Sequence, residues 1–152
     1  MPVSAAFAES NRTQTDRMRR IVSQLNAKKL ALRLPNGWTV AGILAHMAFW
    51  DRQRLCLMRR WAAGLNGTGL YDGEAFNAAM QPLLELIPPD CAAAAAIQAA
   101  EEVDAYLLQV PDDVVAAALA RPDKPNLDRG SHREYHLDQV ERCLVDASAS
   151  RA

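Results

Sequence analysis

The chain has 152 residues, which is enough for one domain with its own hydrophobic core. Half of the residues are hydrophobic and few are aromatic, a composition that favours packed helices over sheets. The formal net charge is −1 and no basic cluster dominates, so binding to nucleic acid is not expected. No apolar run is long enough to span a membrane, and residues 1–6 lack the features of a signal peptide. We expect one domain over residues 1–152. Its three scattered cysteines form no C-x-x-C pair and no disulfide framework, so we expect it in a reducing cytoplasm.

The first predicted helix covers roughly residues 4–30. Its apolar residues recur at helical spacing, but Asn11 and Gln14 fall on the same face as the hydrophobic ones. Two interpretations of these polar residues are open. They belong to a helix end that extends into solvent, or they line a polar pocket inside a helical bundle.

A second helix is predicted from Val40 to about Leu65, with Thr39 as its N-cap. His46 lies on the same face as Trp50 and other apolar residues, so its side chain is expected to point toward the core. Two interpretations of such a histidine are open. A hydrogen-bonded core residue is the more common case, and a metal ligand is the other.

The middle of the chain alternates turn signals with helical spacing. A loop over residues 67–73 precedes a short helix around residues 74–86, which the Pro88-Pro89 pair ends. Asp90 is the predicted N-cap of a third long helix over residues 91–110, and a further short helix extends to residue 120. Because strand-like alternation is absent, the sequence predicts an all-α fold, a bundle of four main helices.

The last helix is predicted over residues 131–147, after a loop that ends at Gly130. Ser131 and Glu134 have the S-x-x-E spacing of a capping box, which would fix where this helix begins. His132 and His136 are then one turn apart on one face, a spacing at which two imidazoles can bind one ion.

The only histidines in the chain are His46, His132 and His136. Together they supply the ligand number of a catalytic-type metal site, with three protein ligands and one open position. Imidazole suits Zn²⁺, Ni²⁺, Cu²⁺ and Fe²⁺ alike, so the donor set does not select the ion. With ordinary histidine pKa values, such an ion would be lost below about pH 6.

Two other features of the sequence limit this site. Cys143 lies roughly 10 Å along the helix from His136, and Cys56 is further still from His46, so both cysteines are expected to be packing residues. Arg133 stands where the metalloprotease motif has a glutamate, and Glu134 is assigned to the helix cap. The motif therefore contains no visible general base.

Several segments follow the pattern of a known family: Trp38-Thr39-Val40, the Ile43–Ala48 segment around His46, Trp50-Asp51, and His132-x-x-x-His136-Leu137-Asp138-Gln139-Val140, with Asn11 and Phe76-Asn77 in addition. These residues resemble the DinB/YfiT-like superfamily, which includes mycothiol-dependent maleylpyruvate isomerases and bacillithiol transferases. The resemblance implies a four-helix bundle with up-down-down-up connections, often as a homodimer. It implies a metal triad of His46, His132 and His136 that holds Zn²⁺ or Ni²⁺.

Three hypotheses about function follow from the residues and the resemblance. The first is a metal-dependent enzyme that transfers a low-molecular-weight thiol to an electrophile. Its substrate pocket would be lined by Asn11, Gln14, Trp50, Asn77 and Tyr135. The second is a metal-dependent hydrolase that uses a metal-bound water. The third is a binding or stress-response module without catalytic activity, in which the metal only holds helices together.

Overall fold

The computed structural model describes residues 5–65 and 72–150, and within these ranges the chain is all-helical, which confirms the predicted fold class. The helices are α1 (Ala5–Val22), α2 (Ala27–Leu30), α3 (Val40–Ala62), α4 (Gly73–Leu84), α5 (Pro89–Leu107), α6 (Asp112–Leu119) and α7 (Arg129–Ala149). None of these helices combines the length and the apolarity that a membrane span requires. Most of the predicted loop over residues 67–73 lies outside the described residues.

The four longest helices pack against one another. The most extensive contact joins α3 to α5, the next joins α1 to α7, and α1 also contacts α5 while α3 contacts α7. Almost every residue from Val40 to Asp51 is buried, so the first half of α3 lies at the centre of the molecule. The position of His46 in this buried segment follows from that packing.

The N-terminus of α3 is fixed as predicted. The Thr39 side chain accepts a hydrogen bond from the Gly42 amide at 2.9 Å, which satisfies one of the free amides of the first turn. The helix ends at Ala62, three residues earlier than expected, because Gly64 adopts a φ of +75° that terminates it. The cap thus fixes where α3, the helix that carries His46, begins.

Two predicted helix boundaries are wrong. The first helix does not continue to residue 30: α1 ends at Val22, and Asn26 caps the separate single turn α2 by accepting from the Lys29 amide. Asp90 does not cap α5. The helix begins at Pro89, because proline has no amide to satisfy and its fixed φ suits a first helical turn, and Asp90 lies inside that turn.

The predicted start of the last helix is also wrong. The N-cap is Asp128, whose Oδ1 accepts from the Ser131 amide at 3.0 Å, and the helix begins at Arg129. Ser131 and Glu134 therefore form no capping box: the Ser131 hydroxyl donates to the Asp128 carbonyl, and Glu134 is exposed. Asp128 has a second partner that the sequence does not reveal, because its Oδ1 also accepts from Ser10 Oγ on α1 at 3.0 Å.

Gly130 lies inside α7, not in the loop before it, and it permits α7 to approach α1 closely. A Cβ atom at this position would lie 2.6 Å from the backbone carbon of Ser10 and 2.7 Å from its carbonyl oxygen. The Gly130 amide also donates to Asn11 Oδ1 at 2.7 Å. The absence of a side chain therefore determines how the histidine-bearing end of α7 sits on α1.

The Gly130→Ala variant is expected to lose about 1–3 kcal/mol of unfolding free energy, because the added methyl group forces a backbone shift in a packed contact. Urea denaturation measures this loss. Gly73→Ala is the matched control, since Gly73 also begins a helix but has nothing within 4 Å of an added Cβ. Equal stability of the two variants would contradict the close approach of α1 and α7.

Candidate metal centre

The three histidines meet where α3 contacts α7. Their ring centroids are 4.7 Å apart for His46 and His136, 4.8 Å for His132 and His136, and 5.5 Å for His46 and His132. One ring nitrogen from each residue lies within 4.8 Å of the other two. Tetrahedral binding at 2.0–2.1 Å needs nitrogens roughly 3.4 Å apart, which small side-chain rotations supply. The three residues can therefore hold one metal ion, as the sequence predicted.

The surroundings keep all three imidazoles neutral, which is the form that binds metal. Burial, followed by the charges of His136 and Arg129, lowers the pKa of His46 to about 3. Burial and the Arg129 charge also lower the pKa of His132, and burial lowers that of His136 despite its hydrogen bond to Gln139. Protons therefore compete weakly for these nitrogens near neutral pH.

His46 is not the hydrogen-bonded core histidine that is the common alternative. Its side chain is 5% exposed, and its buried Nδ1 has no hydrogen-bond partner. Trp38 and Trp50 contact the ring edge-on, with centroids 5.4 and 6.3 Å away. A buried polar atom without a partner is costly. A ligand bound to the His46 ring would therefore stabilise the ring in this buried position.

Gln139 orients His136. The Nδ1 atom of His136 lies 3.1 Å from Gln139 Oε1. An amide oxygen only accepts, so Nδ1 carries the proton and Nε2 has a free lone pair. A second hydrogen bond of this kind fixes both the tautomer and the orientation of a metal-binding imidazole.

His132 has a different partner. The Arg129 Nη2 atom lies 2.9 Å from His132 Nδ1, and because arginine only donates, Nδ1 accepts and carries no proton. Binding an ion through Nδ1 would displace Arg129. Binding an ion through Nε2 would place the ring proton on Nδ1. The N–H groups of Arg129 could then no longer donate to Nδ1. The Arg129–His132 contact must therefore change when an ion binds.

A buried ion network that sequence reasoning missed supports this side of the site. Asp51 accepts from Arg129 Nε at 2.7 Å and from Arg133 Nε at 2.9 Å, and the three side chains are at most 2% exposed. Arg133 also pairs with Asp104 at 2.8 Å and donates to Thr15 Oγ1 at 2.9 Å. The sequence contains one signal of this network: Asp51 is an acidic residue in the mostly apolar first half of α3. This network links α1, α3, α5 and α7 beneath the histidines.

The histidines line an open cavity of about 470 Å³. Three of the five predicted pocket residues, Trp50, Asn77 and Tyr135, line the same cavity. Trp50 Nε1 donates to Asn77 Oδ1 at 3.1 Å, which ties α4 to α3 at the cavity wall, and Tyr135 is largely exposed at the rim.

The structure does not bring Asn11 and Gln14 to this cavity. Asn11 is buried on α1, where it accepts from the Gly130 amide and donates to the Leu127 carbonyl. Gln14 is half-buried and accepts from Arg17 near the surface. Asn11 therefore joins two helices. Of the two interpretations, the one that places it inside the bundle fits it, because its side chain is buried and lines a separate cavity between α1 and α5.

The charged residues that line the cavity are basic. Among the described lining residues, Arg54 and Arg129 accompany the histidines and no aspartate or glutamate is present. The cavity thus combines positive charge with neutral imidazoles that can bind a metal ion.

The cysteines are not part of this site. Cys143 is partly buried, and its Sγ lies 3.6 Å from the Arg33 carbonyl. Cys56 is exposed, so the prediction that it is a packing residue is wrong.

No protein-family model, curated protein or solved structure matches this chain. The residues of the cavity and the sequence pattern described above are therefore what indicates a function.

Proposed function

We propose that this chain is a DinB-like metal-dependent enzyme that transfers a low-molecular-weight thiol to an electrophile. The observation that carries the proposal is the convergence of three neutral histidines on the wall of an open cavity. Three protein ligands leave a coordination position for a substrate, whereas structural sites are closed by four. The up-down-down-up bundle, the homodimer and the cytoplasmic location belong to the same proposal.

The side chains around the histidines have separable roles in this proposal. His46, His132 and His136 would hold Zn²⁺ or Ni²⁺, and Gln139 orients the ring of His136. Trp38 and Trp50 keep water from one side of His46, since both are at most 9% exposed. A divalent ion in this position would lower the pKa of a bound thiol, so that the sulfur reacts as a thiolate.

The charge of the cavity favours thiol transfer over hydrolysis. A hydrolase commonly places a carboxylate beside the reacting water as its general base, and none lines the described part of the cavity. A thiolate needs no such base once it has formed. The guanidinium groups of Arg54 and Arg129 favour an anionic reactant in the same space.

The test is a screen for thiol adducts with metal-loaded protein. Cysteine, glutathione, bacillithiol and mycothiol are each combined with a panel of electrophiles, and adducts are detected by mass spectrometry. We expect one thiol to give metal-dependent turnover that falls at least 100-fold in His46→Ala and is kept in the control Cys143→Ser. Metal-loaded protein with an exchangeable position but no adduct from any pair would contradict the transferase and favour the non-catalytic module.

A further inference from the structure

Arg54, on α3, is the one charged residue of the cavity wall whose partner is missing from the described part of the chain. It is 7% exposed, its buried Nε atom has no hydrogen-bond partner among the described residues, and none of the ion pairs between described residues involves it. The other two deeply buried arginines, Arg129 and Arg133, are paired with Asp51 and Asp104. Arg54 therefore differs from them in lacking a counter-charge.

An unpaired guanidinium in this position is unfavourable. Arginine stays protonated inside proteins, so it cannot escape the cost of burial by losing its charge. The Asp51 carboxylate cannot serve it, because its two oxygens already accept from Arg129 and Arg133. No other carboxylate lines the described cavity wall. A bound anion would supply the counter-charge that the described cavity wall does not.

The balance of buried charge leads to the same conclusion. Three buried arginines face two aspartates in this part of the molecule, which leaves one positive charge beside the histidines. A divalent ion on the histidines would add two more. An anion between the metal and the guanidinium would offset this accumulation of positive charge.

We infer that the ligand of the histidine cavity carries a carboxylate group that pairs with Arg54. This inference rests on the proposed function and names the chemistry of its substrate. One guanidinium presents one planar fork, which matches the two oxygens of one carboxylate. The volume of about 470 Å³ suits a small molecule. Both low-molecular-weight thiols and electrophiles can carry such a carboxylate, and the experiment separates these two sources.

The first arm compares thiols that differ only in the carboxylate. Binding of N-acetylcysteine and N-acetylcysteamine to Ni²⁺-loaded protein is measured by calorimetry, in the wild type, in Arg54→Met and in the control Arg60→Met, an exposed arginine of the same helix. We expect Arg54→Met to weaken N-acetylcysteine roughly 10- to 100-fold and to leave N-acetylcysteamine within about twofold. Arg60→Met should change neither.

The second arm tests whether the electrophile carries the carboxylate. Acrylate and acrylamide are compared in the same way. An Arg54-dependent preference for the acid in either matched pair supports the inference and identifies the source. Equal binding of acid and neutral analogue in both pairs would overturn it, even if thiols bind the metal.

The third arm separates this inference from the metal. Succinate is added to metal-free protein and the melting temperature is followed. A rise in the wild type that is absent in Arg54→Met supports the carboxylate site even if the chain proves to bind no metal, an outcome in which the proposed function fails alone. Without ligand, Arg54→Met should melt at or above the wild-type temperature, because an unpaired buried charge has been removed. A large decrease would show that Arg54 holds the fold, and the inference would be rejected.

Discussion

The Asp51→Asn variant is expected to lose about 3–5 kcal/mol of unfolding free energy, the usual cost of removing one partner from a buried ion network. Asparagine keeps the shape of the side chain but removes the charge that compensates Arg129 and Arg133. Both guanidinium groups would then remain buried with less counter-charge, since Arg129 has no other acidic partner within the described residues. Urea denaturation followed by circular dichroism measures the loss.

A control comes from the exposed pair between Arg52, the neighbour of Asp51 on α3, and Glu102 on α5. Glu102→Gln should cost less than about 1 kcal/mol, because a solvated pair contributes little. If Asp51→Asn cost no more than this control, the two arginines would have to be solvated or otherwise compensated, and the description of the network would be wrong.

The same carboxylate connects stability to the site. Asp51 holds Arg129, and Arg129 holds the ring of His132 through Nδ1. The orientation of one predicted ligand thus depends on a residue of another helix, 78 positions from the arginine that it binds. Changes at Asp51 are therefore expected to affect metal affinity as well as stability.

Much of the site was predictable from the sequence because its signals are local. The Thr39 cap and the periodicity of α3 place His46 on the inner face, and the four-residue spacing of His132 and His136 gives them one face on any helix. The prediction held although the start of α7 was wrong by two residues, because a shift of the helix start leaves the relative positions of the two histidines unchanged.

Several of the errors concern long-range partners. Asp128 and Ser131 both have side chains that cap helices, and the choice between them depends on Ser10, which gives Asp128 an additional hydrogen bond. Asn11 was correctly placed on the inner face, but its partner is an amide 119 positions away. Arg54 and Arg129 were not recognised because hydrophobic periodicity assigns charged residues to the surface. In the structure both are buried: Arg129 pairs with Asp51, and Arg54 lines the cavity.

Purified protein is expected to bind about one divalent transition-metal ion per chain, and His46→Ala is expected to bind none at the same ion concentration. Removing one of three ligands leaves two imidazoles, too few for a stable site of this kind. Metal analysis after dialysis gives the stoichiometry. Cys143→Ser is the control, since it removes the one cysteine of α7 and should keep the ion. An ion retained by His46→Ala would exclude the triad.

The pH at which the ion is released tests the electrostatics of the site. In the folded protein the lowered histidine pKa values, about 3 for His46, move proton competition below the pH 6 expected for ordinary imidazoles. In the unfolded chain these histidines regain a pKa near 6.5. Their contribution to stability is therefore complete above about pH 6.5. As the pH falls toward the folded-state values, it decreases by up to about 1.4 kcal/mol per pH unit for each histidine.

Release of the ion in acid should consequently coincide with unfolding and not precede it. Absorption bands of bound Co²⁺ report the ion, and near-ultraviolet circular dichroism reports the tertiary packing in the same titration. Because the chain has three histidines and all belong to the site, their nuclear magnetic resonance signals follow the same protonation directly. Loss of the bands near pH 6 with the dichroism unchanged would mean that the imidazoles titrate as solvated groups, and the buried, neutral site would have to be abandoned.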